Sequence, residues 1–101
     1  MQFGIKIGNY NFNGPYSTTG PIRNSSGVYV ILDCHNTTHF VVDVGESGFL
    51  QSRLDNHDRA PCWRKNCSGA IKAAVLYVNE YKRMRIEQEL RASYTPTCGQ
   101  R

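Results

Sequence analysis

The sequence predicts a small α/β (α+β) domain, a mixed β-sheet with helices packed on it. Two β-rich runs, GVYVILDC and THFVVDVG, flank a polar turn, and EYKRMRIEQELRASY repeats its apolar residues at helical spacing. An apolar content of 40% over 101 residues supports one modest core and no second one. The chain is therefore read as one compact unit, with an N-terminal strand and arm over residues 1–26 and the main domain over 27–101.

Taken in order, a short strand is expected at Gln2 to Ile7. Residues 8–26 follow as an ordered loop or arm, because Gly, Asn, Pro, Ser and Thr dominate GNYNFNGPYSTTGPIRNSS. The two β-rich runs form an antiparallel hairpin about a turn at His35 to His39. Its even-numbered residues Val28, Val30, Leu32, Phe40, Val42 and Val44 are all apolar and are assigned to the core face. Tyr29 and Asp43 then share the opposite face, with the carboxylate pointing into a cleft and no charge buried.

Residues 48–58, GFLQSRLDNHD, suit a helix with Leu50, Leu54 and His57 on one stripe and Phe49 and Arg53 at its flank. RAPCWRKNCSG reads as a basic loop closed by Gly69, and residues 70–78 as a further strand. A second helix over 80–94 ends near Pro96 and Gly99. The order strand, strand, strand, helix, strand, helix predicts helices covering one face of the sheet.

The formal charge of +4 is uneven: residues 51–101 hold ten Lys or Arg against five acids, and residues 1–50 hold two against three. A basic second half favours a polyanionic partner, with Arg59, Arg64 and Lys65 as phosphate contacts and Trp63 as a ring to stack on a base or to anchor the loop in the core. No apolar stretch is long enough for a membrane span and the first residues lack a signal-peptide segment, so no membrane partner and a cytoplasmic location are expected. In that compartment Cys34, Cys62, Cys67 and Cys98 are expected as free thiols. The alternative is a zinc site of His57, Cys62, Cys67 and Cys98, which would make this a zinc-stabilised interaction protein.

Four pieces of the chain, GVY at 27–29, DVG at 43–45, FLQSRLDNH at 49–57 and IEQELRASYTP at 86–96, stand in an order and at separations that resemble the signature elements of the GIY-YIG nuclease superfamily. The resemblance covers residues 27–98 and implies a β-β-α-β-α core and a DNA endonuclease that uses one divalent metal ion, Mg²⁺ or Mn²⁺. It also implies that Tyr29 activates or orients the attacking water, Arg53 stabilises charge on the phosphate and Glu87 ligates the metal. These residue types suit those tasks, since a hard cation needs few carboxylates when phosphate and water complete its shell, and arginine offers a fixed fork to a phosphate. His57 is a candidate to bind phosphate or shuttle a proton.

Asp43 departs from the family pattern, which has tyrosine at that position. It either adds a carboxylate to the metal, accepts a hydrogen bond from Tyr29, or marks a domain that has lost turnover. The last case is a nucleic-acid-binding module on the same fold.

Overall fold

Gly27–His35 is withdrawn from solvent along almost its whole length, as a strand is when both faces of its sheet are covered. The computed structural model describes residues 4–99 and makes this strand, β3, the hub of a sheet with five strands in the order β1-β2-β5-β3-β4. The others are β1 (Gly4–Ile7), β2 (Tyr10–Tyr16), β4 (Thr38–Ser47) and β5 (Ala70–Tyr77), with helices α1 (Leu50–Asp55), α2 (Ala60–Asn66) and α3 (Glu80–Tyr94). The fold is an α+β domain, and β3, β4, α1, β5 and α3 follow the expected core order. No helix among the described residues is long and apolar enough to cross a membrane.

Several expectations are corrected. Every strand pairing among the described residues is antiparallel, so the sheet is not mixed. The arm contains β2, which pairs with β1 across the two-residue loop Gly8-Asn9, where Gly8 takes a positive φ of 60°. Of the first strand, Gln2 and Phe3 lie outside the described residues. The basic loop contains α2, with Pro61 in its first turn, where the missing N–H goes unneeded.

Helices cover both faces, not one. Val28, Val30, Leu32, Cys34 and Val44 pack with Ile7, Phe12 and Ala74 against Ile86 and Leu90 of α3. On the other side Tyr29, Ile31, Val42 and Val75 pack with Leu50 and Leu54 of α1, Trp63 of α2, Ile22 and Cys98.

The predicted hairpin register holds for Val44 and Asp43 and fails beyond them. Val30 pairs with Val44 and Ile31 with Asp43, but Leu32 then pairs with Val41, leaving Val42 as the extra residue of a bulge. Because side chains alternate, one inserted residue reverses the facing of all that follows. Val42 therefore joins the Tyr29 side, and Phe40 is 57% exposed instead of buried.

α3 has the predicted bounds for legible reasons. The Asn79 side chain accepts the Lys82 N–H at its start, and Thr95, in the left-handed region at φ 42°, returns its N–H to the Arg91 carbonyl at its end. The tail after it crosses the β4 edge. The Cys98 N–H donates to the Val42 carbonyl at 3.0 Å, and Cys98 is disulfide-bonded to Cys62 on α2. Cys62 and Cys98 are thus not the free thiols expected; Cys34 and Cys67 are free, with burial pushing both thiols up.

The bridge closes a loop with a sequence separation of 36. Restricting the unfolded chain by a loop of that length is worth about 3–4 kcal/mol. Cys98→Ser is expected to lower unfolding free energy by about that amount in denaturant titrations, and a reducing agent should lower the wild type to the same level while leaving the variant unchanged.

Candidate functional site

Asp43 follows the bulge on β4, where α2 packs and the C-terminal tail is hydrogen-bonded, and it is fully buried. Such a carboxylate must have its lone pairs filled. One oxygen, Oδ1, accepts the Val44 N–H and Arg91 Nη2, both at 2.8 Å. The other, Oδ2, accepts Arg59 Nε at 2.8 Å and the Trp63 indole N–H at 2.7 Å. Four donors saturate it. The expectation that no charge is buried is therefore overturned. So are the two working roles offered for Asp43, because no oxygen is left for a metal and neither bonds Tyr29.

Of the two readings of Trp63 the anchor holds and the stacking ring is corrected: the indole is buried and donates inward, which anchors α2 and leaves no open face for a base. Arg64 and Lys65 are exposed on α2. The zinc arrangement does not form, since Cys62 and Cys98 are bonded to each other and His57 faces Tyr29.

The Tyr29 ring lies across Gly45, its partner on β4; a Cβ on Gly45 would run into the phenol. This is the physical reason for glycine at the end of DVG. The phenolic oxygen meets His57 Nε2, and Arg59 Nη2 donates to it at 3.1 Å. His57 Nδ1 accepts the Arg59 backbone N–H at 3.0 Å, so the neutral ring carries its proton on Nε2 and donates it to Tyr29. Burial, aided by Arg53 and Arg59, pulls the imidazole down to about 4, which keeps it neutral. Burial, partly offset by Arg59, pushes the phenol up to about 12. With two donors on its oxygen, Tyr29 is a neutral phenol whose own hydrogen is the one left to point outward.

Outward is a polar cavity of about 390 Å³ lined by Tyr29, Gly45, Glu46, Arg53, Arg59, Glu87, Arg91 and Gly99. Tyr29 from β3, Arg53 from α1 and Glu87 from α3 meet here, although they lie far apart in the chain. Arg53 is also paired with the exposed Asp58 at 2.8 Å. Glu87 is buried, and its Oε2 accepts Arg91 Nε at 3.0 Å. Arg91 was not singled out in the sequence, though its place four residues after Glu87 on a helix was a usable signal. It holds Glu87 and Asp43, donates to the Val44 carbonyl, and reaches the Gly99 carbonyl at 3.0 Å.

Three guanidinium groups and two carboxylates around one cavity suit an oxyanion better than a neutral ligand. Among the described residues no three His, Cys, Asp or Glu side chains group as metal ligands. A Mg²⁺-type ion that arrives with phosphate and water needs one or two carboxylates; the one the resemblance assigns, Glu87, lies at the cavity and is paired here with Arg91. Comparison with family models, curated proteins and solved structures finds no match for this chain.

Two outcomes follow. Asp43→Ala strands two half-buried cations and a buried indole N–H, so it should cost about 3 kcal/mol or more in unfolding free energy, whereas Asp58→Ala, losing an exposed partner, should cost far less. The second concerns pH. His57 binds its proton less readily folded than unfolded, so stability should fall as pH drops from about 6.5 to about 4, on the order of 3 kcal/mol in all. His57→Gln should flatten the pH dependence of the denaturation midpoint in that window.

Proposed function

We propose that this chain is a metal-dependent endonuclease of the GIY-YIG kind that hydrolyses phosphodiester bonds in DNA. The observation that carries the reading is the convergence of Tyr29, Arg53 and Glu87 on one cavity with Arg59 and Arg91 beside them. A phosphodiester entering it meets guanidinium groups placed to bind the non-bridging oxygens and to hold the charge that grows on them during attack.

Arg53 is the principal phosphate contact. Its Asp58 partner is exposed, so exchanging that pair for a phosphate loses little. Arg59 and Arg91 are committed to Asp43 and serve mainly to set the field and the walls. Tyr29, neutral at physiological pH, orients the attacking water or a phosphate oxygen by donating its hydrogen. Glu87 would hold Mg²⁺ or Mn²⁺, which when bound supplies Lewis-acid stabilisation of the phosphate and the leaving oxygen. In the net reaction water oxygen bonds to phosphorus, the bond from phosphorus to one sugar oxygen breaks, and that oxygen takes up a proton.

A second reading, a nucleic-acid-binding module without turnover, is favoured by one feature: Asp43 is saturated and does not replace the missing phenol as a catalytic group. The two part experimentally. With Mg²⁺ or Mn²⁺ the protein should nick plasmid DNA, chelation should stop it, Glu87→Gln should reduce the rate roughly 100-fold or more without loss of DNA binding, and Arg53→Ala should reduce the rate as much while also weakening binding. Cutting that continues unchanged in both variants removes the assigned roles. Salt-sensitive binding with no cutting by the wild type establishes the second reading.

A further inference from the structure

The arm between β2 and β3 carries a cation that the fold holds in place and does not neutralise. Ile22 is buried in the cluster around Tyr29, the Arg23 N–H donates to the Tyr77 hydroxyl at 3.1 Å, and the Asn24 side chain accepts the Ser52 N–H at 2.9 Å. The backbone is thus pinned at Arg23 and on both sides of it. The Arg23 guanidinium sits over the Tyr77 ring, 4.0 Å from the centroid. A ring attracts a cation without taking up any of its N–H donors. Arg53, Arg59, Arg83 and Arg91 each face a carboxylate, whereas Arg23 has no ion pair among the described residues.

Asn13, Tyr16, Pro21, Arg23 and Tyr77 line a cavity of about 380 Å³ that shares no lining residue with the cavity at Tyr29. Among the described residues the side chains of Asn13, Tyr16 and Arg23 form no hydrogen bond. An amide, a hydroxyl and a guanidinium, all unspent, therefore border one hollow that no Asp or Glu lines. Donors grouped about a cation without a carboxylate suit an oxyanion, and the planar fork of arginine suits a phosphate.

The position of Arg53 indicates whose phosphate this is. Asn24 follows Arg23 and Ser52 precedes Arg53, so the hydrogen bond from Ser52 to Asn24 joins the two cations through their neighbours. With about 3.8 Å between consecutive Cα atoms, that path holds the Cα atoms of Arg23 and Arg53 within about 15 Å of each other. A nucleic-acid strand advances about 3.4 Å per nucleotide, so a few nucleotides cover the span. We infer that the cavity at Arg23 and Tyr77 is a second phosphate subsite, which takes a backbone phosphate a few nucleotides along the strand from the one held at Arg53. The placement of the first phosphate rests on the phosphodiesterase reading above.

The test measures binding in a Glu87→Gln background, where no turnover is needed, of a single-stranded oligonucleotide of about twelve nucleotides and of a trinucleotide too short to span the two cations. Arg23→Gln is expected to weaken the longer strand about tenfold and to lower the slope of log affinity against log salt by about 1, with the trinucleotide bound as before. Arg23→Lys keeps the charge and should restore the salt slope, and melting curves check that both variants are folded. Inorganic phosphate should shift the Arg23 Nε–H and Asn13 amide resonances of the wild type. Unchanged affinity and salt slope in Arg23→Gln overturn the inference. So does equal weakening of both lengths, which would mean that the loss is relayed through Asn24 to α1. Phosphate-induced shifts at Arg23 with no effect of Arg23→Gln on the longer strand would make this a site for a free anion, and overturn the inference as well. Length-dependent binding that needs Arg23 in a protein that cuts nothing would retain the subsite and remove the nuclease reading. Cutting by otherwise native protein that Arg23→Gln leaves unaltered, on long and short strands alike, would retain the nuclease reading and remove the subsite.

Discussion

One carboxylate without access to water organises this molecule. Asp43 draws Arg59 from just before α2, Trp63 from α2, Arg91 from α3 and the next peptide of its own strand onto two oxygen atoms. Removing an ion from water is expensive, and the expense is recovered only when every lone pair has a donor of good geometry. The arrangement therefore holds together or fails as a set. Because the same guanidinium groups line the cavity, their placement is inherited from this buried anchor instead of being left to flexible surface side chains.

That inheritance shapes the electrostatics of the cavity. Tyr29 and His57 are both kept neutral by burial, so the charge there comes from three arginines and two glutamates. Arg53 differs from the other two guanidinium groups in facing a carboxylate that is mostly in solvent. It is the cation most ready to exchange partners, and a ligand anion meets least resistance there. A rigid frame thus carries one adaptable contact.

The sequence disclosed what depends on near neighbours and concealed what depends on distant ones. α3 was readable end to end because its cap at Asn79, its apolar spacing and the nearby Pro96 are all local. The pairing of β3 with β4 was readable as far as Asp43, and the bulge at Val42 was not, because nothing in the local pattern marks an inserted residue. β2 was hidden by its Asn, Gly and Pro, which normally signal loops, although Gly8-Asn9 between Ile7 and Tyr10 is itself a hairpin signal. α2 was hidden by Pro61 and by the absence of a side-chain cap. The partners of Asp43 lie 16, 20 and 48 residues away, so its burial followed only from the completed topology. The meeting of residues 29, 53 and 87 came from resemblance and not from spacing, and the cavity brings them together.

The bulge and the tail have an effect on the outside of the sheet as well. β4 is an edge strand, and an edge normally offers a neighbouring molecule a regular ladder of unused peptide groups. Here Val42 interrupts the regularity, and the chain's own Cys98 already occupies the Val42 carbonyl, tied down through Cys62. The last residues of the described chain thus act as a selvedge, finishing the border of the fabric so that identical molecules cannot be woven onto it strand by strand.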